Sequence, residues 1–344
     1  MPHDALNSAP HGRSIPLDRM TPAWRGALTM LGLCGLLLIT VTAREWGEMF
    51  HQWWNIDTYT HILLVPIVIG WLVALKAGQL AKISPQAWLP GLGLVVAAMV
   101  LWGVGRASEI NLIAHAGAVG ALQGLAVAVL GPRASIMLAL PIGFGVFLVP
   151  FGDEFIPLLQ AITAEIAVAL THWSGVPAIV DGIYIDTPVG LFIVAEACSG
   201  VKFLIAMLTL AVLVCFTRFD RWWKRCAFIA ASIIVPIIAN GVRAWGTIYI
   251  AQSQGVEFAA GFDHIFYGWI FFAIVVALIL SVAWRFFERE PEQFGWNADE
   301  ASAMSLTQDM ETALTSPAVM VAAIAGLTIA AAIAVTFVDP VALR

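Results

Sequence analysis

The sequence predicts an all-α polytopic membrane protein with about eight transmembrane helices in its core and one further span at the C-terminus. Of the 344 residues, 60% are hydrophobic and only 12% are charged, which is too little polar cover for a soluble domain of this length. The apolar residues are also grouped in windows of about 17–25 residues, the length that a bilayer core requires. These windows are 26–43, 59–75, 87–105, 110–130, 134–150, 199–217, 226–248, 264–284 and 317–337.

The segment 155–171 is ambiguous, because Gln160, Thr163, Glu165 and His172 interrupt or follow it while its apolar positions recur at helical spacing. Such a pattern is typical of either a span or an amphipathic helix at the membrane interface. The basic residues favour the interfacial helix, since cytoplasmic loops carry an excess of Lys and Arg. If this segment does not cross the membrane, twelve of the seventeen basic residues fall on the cytoplasmic side.

The stretch between 172 and 198 is typical of β structure rather than of a helix. Residues 179–180, 183–185 and 191–194 are β-prone, and Asp186-Thr187-Pro188 is a turn signal between them. We therefore expect a short hairpin on the outer face of the membrane.

The predicted organisation has four parts. A cytoplasmic tail covers 1–25 and a transmembrane core covers 26–285. The acidic stretch 286–316 lacks periodicity and is predicted to be a cytoplasmic linker, which leads to an additional C-terminal span at 317–344.

Under this threading, three reactive side chains lie at the outer ends of three consecutive spans. Cys198 precedes the sixth span, Arg243 lies near the outer end of the seventh, and His264 begins the eighth. A thiol, a guanidinium and an imidazole at one depth of the membrane are the groups that a cysteine peptidase or transpeptidase uses.

Cys198 is placed where a thiolate would be favoured. The N-terminus of a helix stabilises negative charge, and Lys202, four residues later, adds a positive charge on the same helix face. Glu196 opposes this effect if its side chain is close. The alternative is a capped helix start at which the cysteine is incidental.

Arg243 lies within an apolar run, where an unpaired cation costs several kcal/mol. It is expected to bind a substrate carboxylate or to stabilise an oxyanion, with Asn240 on the same helix face orienting it. Alternatively, it extends to the membrane interface or pairs with Glu196 or Glu257.

His264 can accept the thiol proton and return it to a leaving amine, because its imidazole titrates near neutral pH. Tyr267 follows it in the same helix and is a supporting candidate. His61 and His115 lie near the outer ends of the second and fourth spans. Position alone therefore does not select His264 over these two histidines.

Three motifs in this order closely resemble the exosortase/archaeosortase family, and most of all the bacterial exosortase A group. They are Glu196-Ala197-Cys198-Ser199-Gly200, Asn240-Gly241-Val242-Arg243, and His264 with Tyr267-Gly268. The resemblance covers roughly residues 20–290. It implies that Cys198 is the nucleophile, Arg243 the stabilising cation and His264 the acid–base group.

The resemblance also implies a substrate class and a location. The substrates would be secreted proteins with a C-terminal tail made of a Pro-Glu-Pro motif, a hydrophobic span and a basic end. Cleavage would take place on the periplasmic side of the bacterial inner membrane and would be linked to exopolysaccharide production. Besides the lipid bilayer, the expected partners are these substrates and an exopolysaccharide-biosynthesis protein. The segment 317–337 resembles the first span of that protein. No cofactor, metal or nucleic acid is expected.

Two other classes of protein would also have many spans. A transporter or flippase for exopolysaccharide would place its buried charges near the middle of the bilayer. A membrane glycosyltransferase would use acidic residues in an outer loop, for which Asp153, Glu154, Asp181 and Asp186 are available.

Overall fold

The computed structural model describes residues 21–255 and 266–338, and most of them are helical. The helices are α1 (Pro22–Val41), α2 (Ala43–Asn55), α3 (Val65–Leu80), α4 (Leu92–Ala107), α5 (Asn111–Met137), α6 (Ala139–Phe144), α7 (Ile156–Trp173), α8 (Val201–Arg218), α9 (Trp222–Gln254), α10 (Phe266–Trp284), α11 (Ala298–Ala303), α12 (Ser305–Met310) and α13 (Pro317–Val338).

In the part of the chain that the structure describes, seven helical segments are long and apolar enough to cross a membrane. These are Pro22–Val41, Thr60–Leu80, Leu89–Ala107, Asn111–Met137, Asp153–Trp173, Val201–Arg218 and Trp222–Gln254. Shorter apolar helices cover Ala139–Leu148, Gly268–Trp284 and Pro317–Ile333. The predicted class, an all-α polytopic membrane protein, is confirmed.

The window 134–150 is not the continuous helix that the sequence predicts. α5 changes direction at Gly131, in the predicted gap between this window and 110–130, because the φ of 76° at Gly131 is left-handed and Pro132 cannot continue the ladder of helical hydrogen bonds. α5 then ends at Met137, inside the window. The chain then forms α6 and a 3₁₀ turn at Gly145–Leu148. The side-chain amide of Gln123 donates to the carbonyl of Ile142 (2.6 Å), so this broken segment folds back along α5.

The described residues form two compact units. The first contains 21–56, 60–150 and 291–338, and the second contains 57–59, 151–255 and 266–290. In the first unit, α4 and α5 pack so closely that a methyl group on Gly105 would overlap the backbone of Ala114, and one on Gly117 would overlap that of Trp102. α13 is part of the core of this unit, because Met320 and Ile324 are fully buried.

The stretch predicted to be a linker is folded where it belongs to the first unit. Phe294 is buried and lies under the ammonium of Lys76, at 4.6 Å from the ring centroid. The same ammonium donates to the carbonyl of Trp296 (3.1 Å), and Arg133 pairs with Glu311 (2.6 Å). The acidic segment is thus attached by hydrogen bonds and ion pairs as well as by apolar contact.

The second unit contains α7 to α10 and the sheet. α8 runs antiparallel to α9, since the Cys198 carbonyl lies beside Asn240 (2.8 Å) and the Cys215 thiol beside the Arg225 carbonyl (3.5 Å). α7 accompanies the C-terminal half of α9, because the indole of Trp245 donates to Ser174 (2.8 Å). α7 therefore extends beyond the start of α8, while Leu159 in its first half packs on Val201 and Ile205 of α8. Its interfacial position stays a prediction.

The β-prone stretch forms a three-stranded antiparallel sheet in the order β1-β2-β3. The strands are β1 (Ile179–Asp181), β2 (Tyr184–Thr187) and β3 (Gly190–Ile193). The predicted β structure is confirmed and has one strand more than expected, while its place on the outer face stays a prediction. One face of the sheet packs on α7 and α9 through the buried Ile185, while Tyr184, Leu191 and Ile193 on the other face are exposed.

Candidate active site

Cys198 lies in a turn that the local sequence makes possible. A 3₁₀ turn at Glu196–Cys198 leads into α8 through Gly200, whose φ of 84° favours glycine. A Cβ atom on Gly200 would also lie 2.8 Å from the side-chain carbon of Asn240. The hydroxyl of the buried Ser199 accepts from the Val201 N–H (3.3 Å) at the start of α8. Glycine is thus needed both for the turn and for the close approach of α9.

Asn240 connects this turn to two other elements. Its side-chain nitrogen donates to the Cys198 carbonyl (2.8 Å) and to the hydroxyl of Thr163 on α7 (3.0 Å). The side chain is 4% exposed, and its oxygen has no hydrogen-bond partner among the described residues. The amide that was expected to orient Arg243 therefore holds the backbone of Cys198.

Arg243 lies one turn after Asn240 on α9 and points toward the start of α10. A Cβ atom on Gly268 would lie 3.2 Å from its Nη1 atom, so a side chain at this position would shift the guanidinium by a few tenths of an ångström. The Nε atom is buried and makes no hydrogen bond within the described chain. A half-buried guanidinium with an unused donor is able to bind an anion.

The ion pair between Arg243 and Glu196, which was the alternative to anion binding, is not present among the described residues, and the Glu196 side chain is exposed. Glu257, the other alternative partner, lies outside the described residues. Lys202 places its ammonium over the rings of Phe203 (5.2 Å) and Trp269 (6.0 Å). Its predicted effect on the Cys198 thiol stays a prediction.

His264 lies outside the described residues, and nothing is described for the side chain of Tyr267. Of the competing histidines, His115 is buried in the first unit and lies 3.3 Å from the carboxylate of Glu48. The Glu48 carboxylate thus provides the buried imidazole of His115 with a hydrogen-bonding partner. His61 is half-buried in the same unit.

Three residues near the site were not among the predicted candidates. Thr163 accepts from Asn240, Gln160 donates to the Val194 carbonyl (2.7 Å), and Gly268 leaves space for Arg243. Thr163 and Gln160 are two of the polar residues that interrupt the apolar window 155–171, and both are buried. A polar residue that interrupts an amphipathic helix is therefore the signal that could have found them.

The fold is that of a multi-pass membrane protein. Its candidate site lies at the start of α8, on α9 and at the start of α10. Residues 53–281 match the family model described as transmembrane exosortase. The chain belongs to the transmembrane exosortase family, which consists of transmembrane peptidases and transpeptidases. The match includes Cys198, Asn240, Arg243 and Gly268, and it ends before α11 to α13. No curated protein and no solved structure matches the chain.

Proposed function

We propose that the protein is a cysteine peptidase or transpeptidase of the exosortase A type. It would cleave the C-terminal sorting tails of secreted proteins near a Pro-Glu-Pro motif, on the periplasmic side of the inner membrane and in support of exopolysaccharide production. The observation that carries the proposal is the bond between Asn240 and the Cys198 carbonyl (2.8 Å). It holds the cysteine turn against the same helix that bears Arg243 one turn later.

The chemistry follows from the three groups. His264 takes the proton of the Cys198 thiol, and the sulfur attacks the carbonyl carbon of the scissile peptide bond. The carbonyl oxygen gains the negative charge, and the guanidinium of Arg243 donates hydrogen bonds to it. The C–N bond then breaks as His264 returns the proton to the leaving amine. Water or an acceptor amine finally releases the acyl group from the sulfur.

No observation in the structure favours the transporter or the glycosyltransferase. Asp153, one of the acidic residues that a glycosyltransferase could use, accepts a hydrogen bond from the Tyr59 hydroxyl. Asp181 and Asp186 are on the exposed face of the sheet, opposite the face that packs on α7 and α9.

The proposal is tested with a reporter protein that ends in a Pro-Glu-Pro motif, a hydrophobic span and a basic tail. We expect Cys198→Ala, Arg243→Ala and His264→Ala each to abolish its processing, measured by gel shift in cells that express the inserted enzyme. Cys226→Ser, a change of an exposed cysteine elsewhere on α9, is the matched control and should process normally.

Arg243→Lys tests whether Arg243 acts by binding two oxygens at once or by its positive charge alone. An ammonium keeps the charge but loses the planar fork of donors that binds two oxygens at once, so we expect at least a tenfold loss of kcat/KM. Full activity of Arg243→Lys would show that charge alone suffices. Normal processing by Cys198→Ala would overturn the peptidase itself.

A further inference from the structure

β3 is an edge strand, and one hydrogen bond determines which of its main-chain groups face β2. The Val194 N–H donates to the Ile183 carbonyl (2.9 Å), and these two residues stand opposite each other in the register of β2 and β3. Bonded pairs alternate along an antiparallel ladder, so Phe192 bonds to β2 as well. Leu191 and Ile193 consequently turn their main-chain groups away from β2.

This outward edge is open in the described part of the chain. The N–H and carbonyl of Leu191 and the N–H of Ile193 have no hydrogen-bond partner among the described residues, while the Ile193 carbonyl accepts from Ala195 (3.0 Å). The Leu191 and Ile193 side chains are 58% and 54% exposed. An exposed edge with unused donors and acceptors is a template for one more strand.

The open edge leads directly to the candidate nucleophile. Ile193 and Cys198 are five residues apart, a distance of at most about 18 Å along an extended chain. Both ends of this link are held, because Gln160 donates to the Val194 carbonyl (2.7 Å) and Asn240 to the Cys198 carbonyl (2.8 Å). A peptide bound along the edge would thus be held at a defined distance from the thiol.

We propose that the substrate binds by strand addition, with an extended segment next to its scissile bond forming a fourth strand on β3. This inference rests on the proposed function and names how that site takes its substrate. Main-chain bonds to an edge strand give affinity with little demand on sequence, which suits an enzyme that takes tails from many proteins.

A Pro-Glu-Pro segment fits such an edge for a geometric reason. Alternate residues of a strand turn their main-chain groups to the same side, so the two prolines share one side and the glutamate faces the other. The nitrogens of the prolines, which carry no hydrogen, can then point away from β3. The N–H and carbonyl of the glutamate remain to bond with Leu191. Proline is found in sheets at edges for the same reason.

The test compares one substitution on each free edge of the sheet. Leu191→Pro removes an N–H at the open edge of β3 without breaking a bond to β2. Val180→Pro does the same at the opposite edge, because Val180 stands between the two β1 residues that bond to β2. With the tail-bearing reporter, we expect Leu191→Pro to raise KM at least tenfold, and Val180→Pro to stay within about twofold of wild type.

A second measurement leaves the enzyme unchanged. A synthetic tail peptide with an N-methylated glutamate between the two prolines should be cleaved at least tenfold more slowly by wild-type enzyme than the unmodified peptide. The rate of maleimide labelling at Cys198 should be equal in wild type and Leu191→Pro, which shows that the cysteine turn is intact.

The outcomes separate this inference from the proposed function. If wild type cleaves the reporter, Cys198→Ala does not, and neither Leu191→Pro nor N-methylation slows cleavage, strand addition is wrong while the peptidase stands. If wild type leaves the reporter uncut, or Cys198→Ala cuts it, the proposed function fails and the inference fails with it. If Leu191→Cys cross-links two copies of the chain in active membranes, a second copy occupies the edge, which also overturns strand addition.

Discussion

At the scale of single residues, two glycines leave space for polar side chains of the candidate site. Gly200 provides the left-handed turn after Cys198 and leaves space for Asn240. Gly268 leaves space for the guanidinium of Arg243. In each case the neighbour is a polar side chain of α9, so the absence of a Cβ atom at these positions serves the site rather than the general packing.

We expect Gly268→Ala to impair catalysis more than stability. The added methyl group would lie 3.2 Å from Arg243 Nη1, and the end of a flexible side chain can move aside at little cost in folding. The displaced guanidinium would lose alignment with the oxyanion, so kcat should fall about tenfold, which corresponds to about 1.4 kcal/mol. KM and the melting temperature in detergent should change little.

Gly246→Ala is the matched control, because a Cβ atom on this α9 glycine meets open space. It should keep the wild-type kcat. A Gly268→Ala enzyme with unchanged kcat would contradict the placement of Arg243 beside the reacting carbonyl.

At the scale of elements, small residues allow α4 and α5 to pack backbone against backbone. Gly105, Gly117 and Gly124 each face the backbone of the other helix. Close approach through small residues is a main source of helix association in membranes, where apolar burial alone provides little driving force. This packing holds the first unit together and lies far along the chain from Cys198.

We expect Gly105→Ala to destabilise the protein by about 1–3 kcal/mol, the usual cost of overpacking. The new methyl group would overlap the backbone of Ala114, which can yield only if the helices separate. Thermal unfolding in detergent measures the effect. Gly103→Ala, two residues earlier with open space around its Cβ position, should unfold like wild type. Equal melting temperatures for the two variants would show that the α4–α5 contact tolerates separation.

At the scale of the whole molecule, the proposal depends on which side of the membrane carries each end of the helices. The basic cluster Arg218, Arg221, Lys224 and Arg225 lies at the end of α8 and the start of α9. It is neutralised in part by the segment after α10, where Glu288 contacts Lys224 (2.8 Å) and accepts from the backbone of Asp220 (2.7 Å). These bonds lower the pKa of Glu288 to about 2, so this carboxylate is charged at any physiological pH.

We expect a cysteine at position 181 in β1 to react with an impermeant maleimide in intact spheroplasts. A cysteine at position 221 should react only after the membrane is permeabilised, because a cluster of basic residues remains on the cytoplasmic side. Asp181 and Arg221 are both exposed, so access rather than burial decides the result. Labelling of position 221 alone in intact spheroplasts would place Cys198 on the cytoplasmic side and overturn the proposed substrate access.

The sequence by itself determined the class of the protein, most helices, the sheet and the family. These features depend on local patterns: apolar windows of bilayer length, a β-prone stretch with a turn signal, and three short motifs in a characteristic order. The prediction was wrong for the window 134–150, which is apolar throughout but divides at Leu138 into the end of α5, the short α6 and a 3₁₀ turn. Hydropathy does not register Pro141, which carries no N–H for a helical hydrogen bond, or the weak helix formers Gly143 and Gly145.

Only the tertiary structure decided which groups surround Cys198 and how the polar segment after α10 is held. The side chain of Asn240 donates to the carbonyl of Cys198, 42 residues away in the sequence, and to the hydroxyl of Thr163, 77 residues away. No local sequence pattern encodes such a pairing. The stretch 286–316 has no periodicity, yet Lys76 and Arg133 bind residues within it. A segment held by single hydrogen bonds and ion pairs leaves no repeat in the sequence, so its place follows from the three-dimensional arrangement of its partners alone.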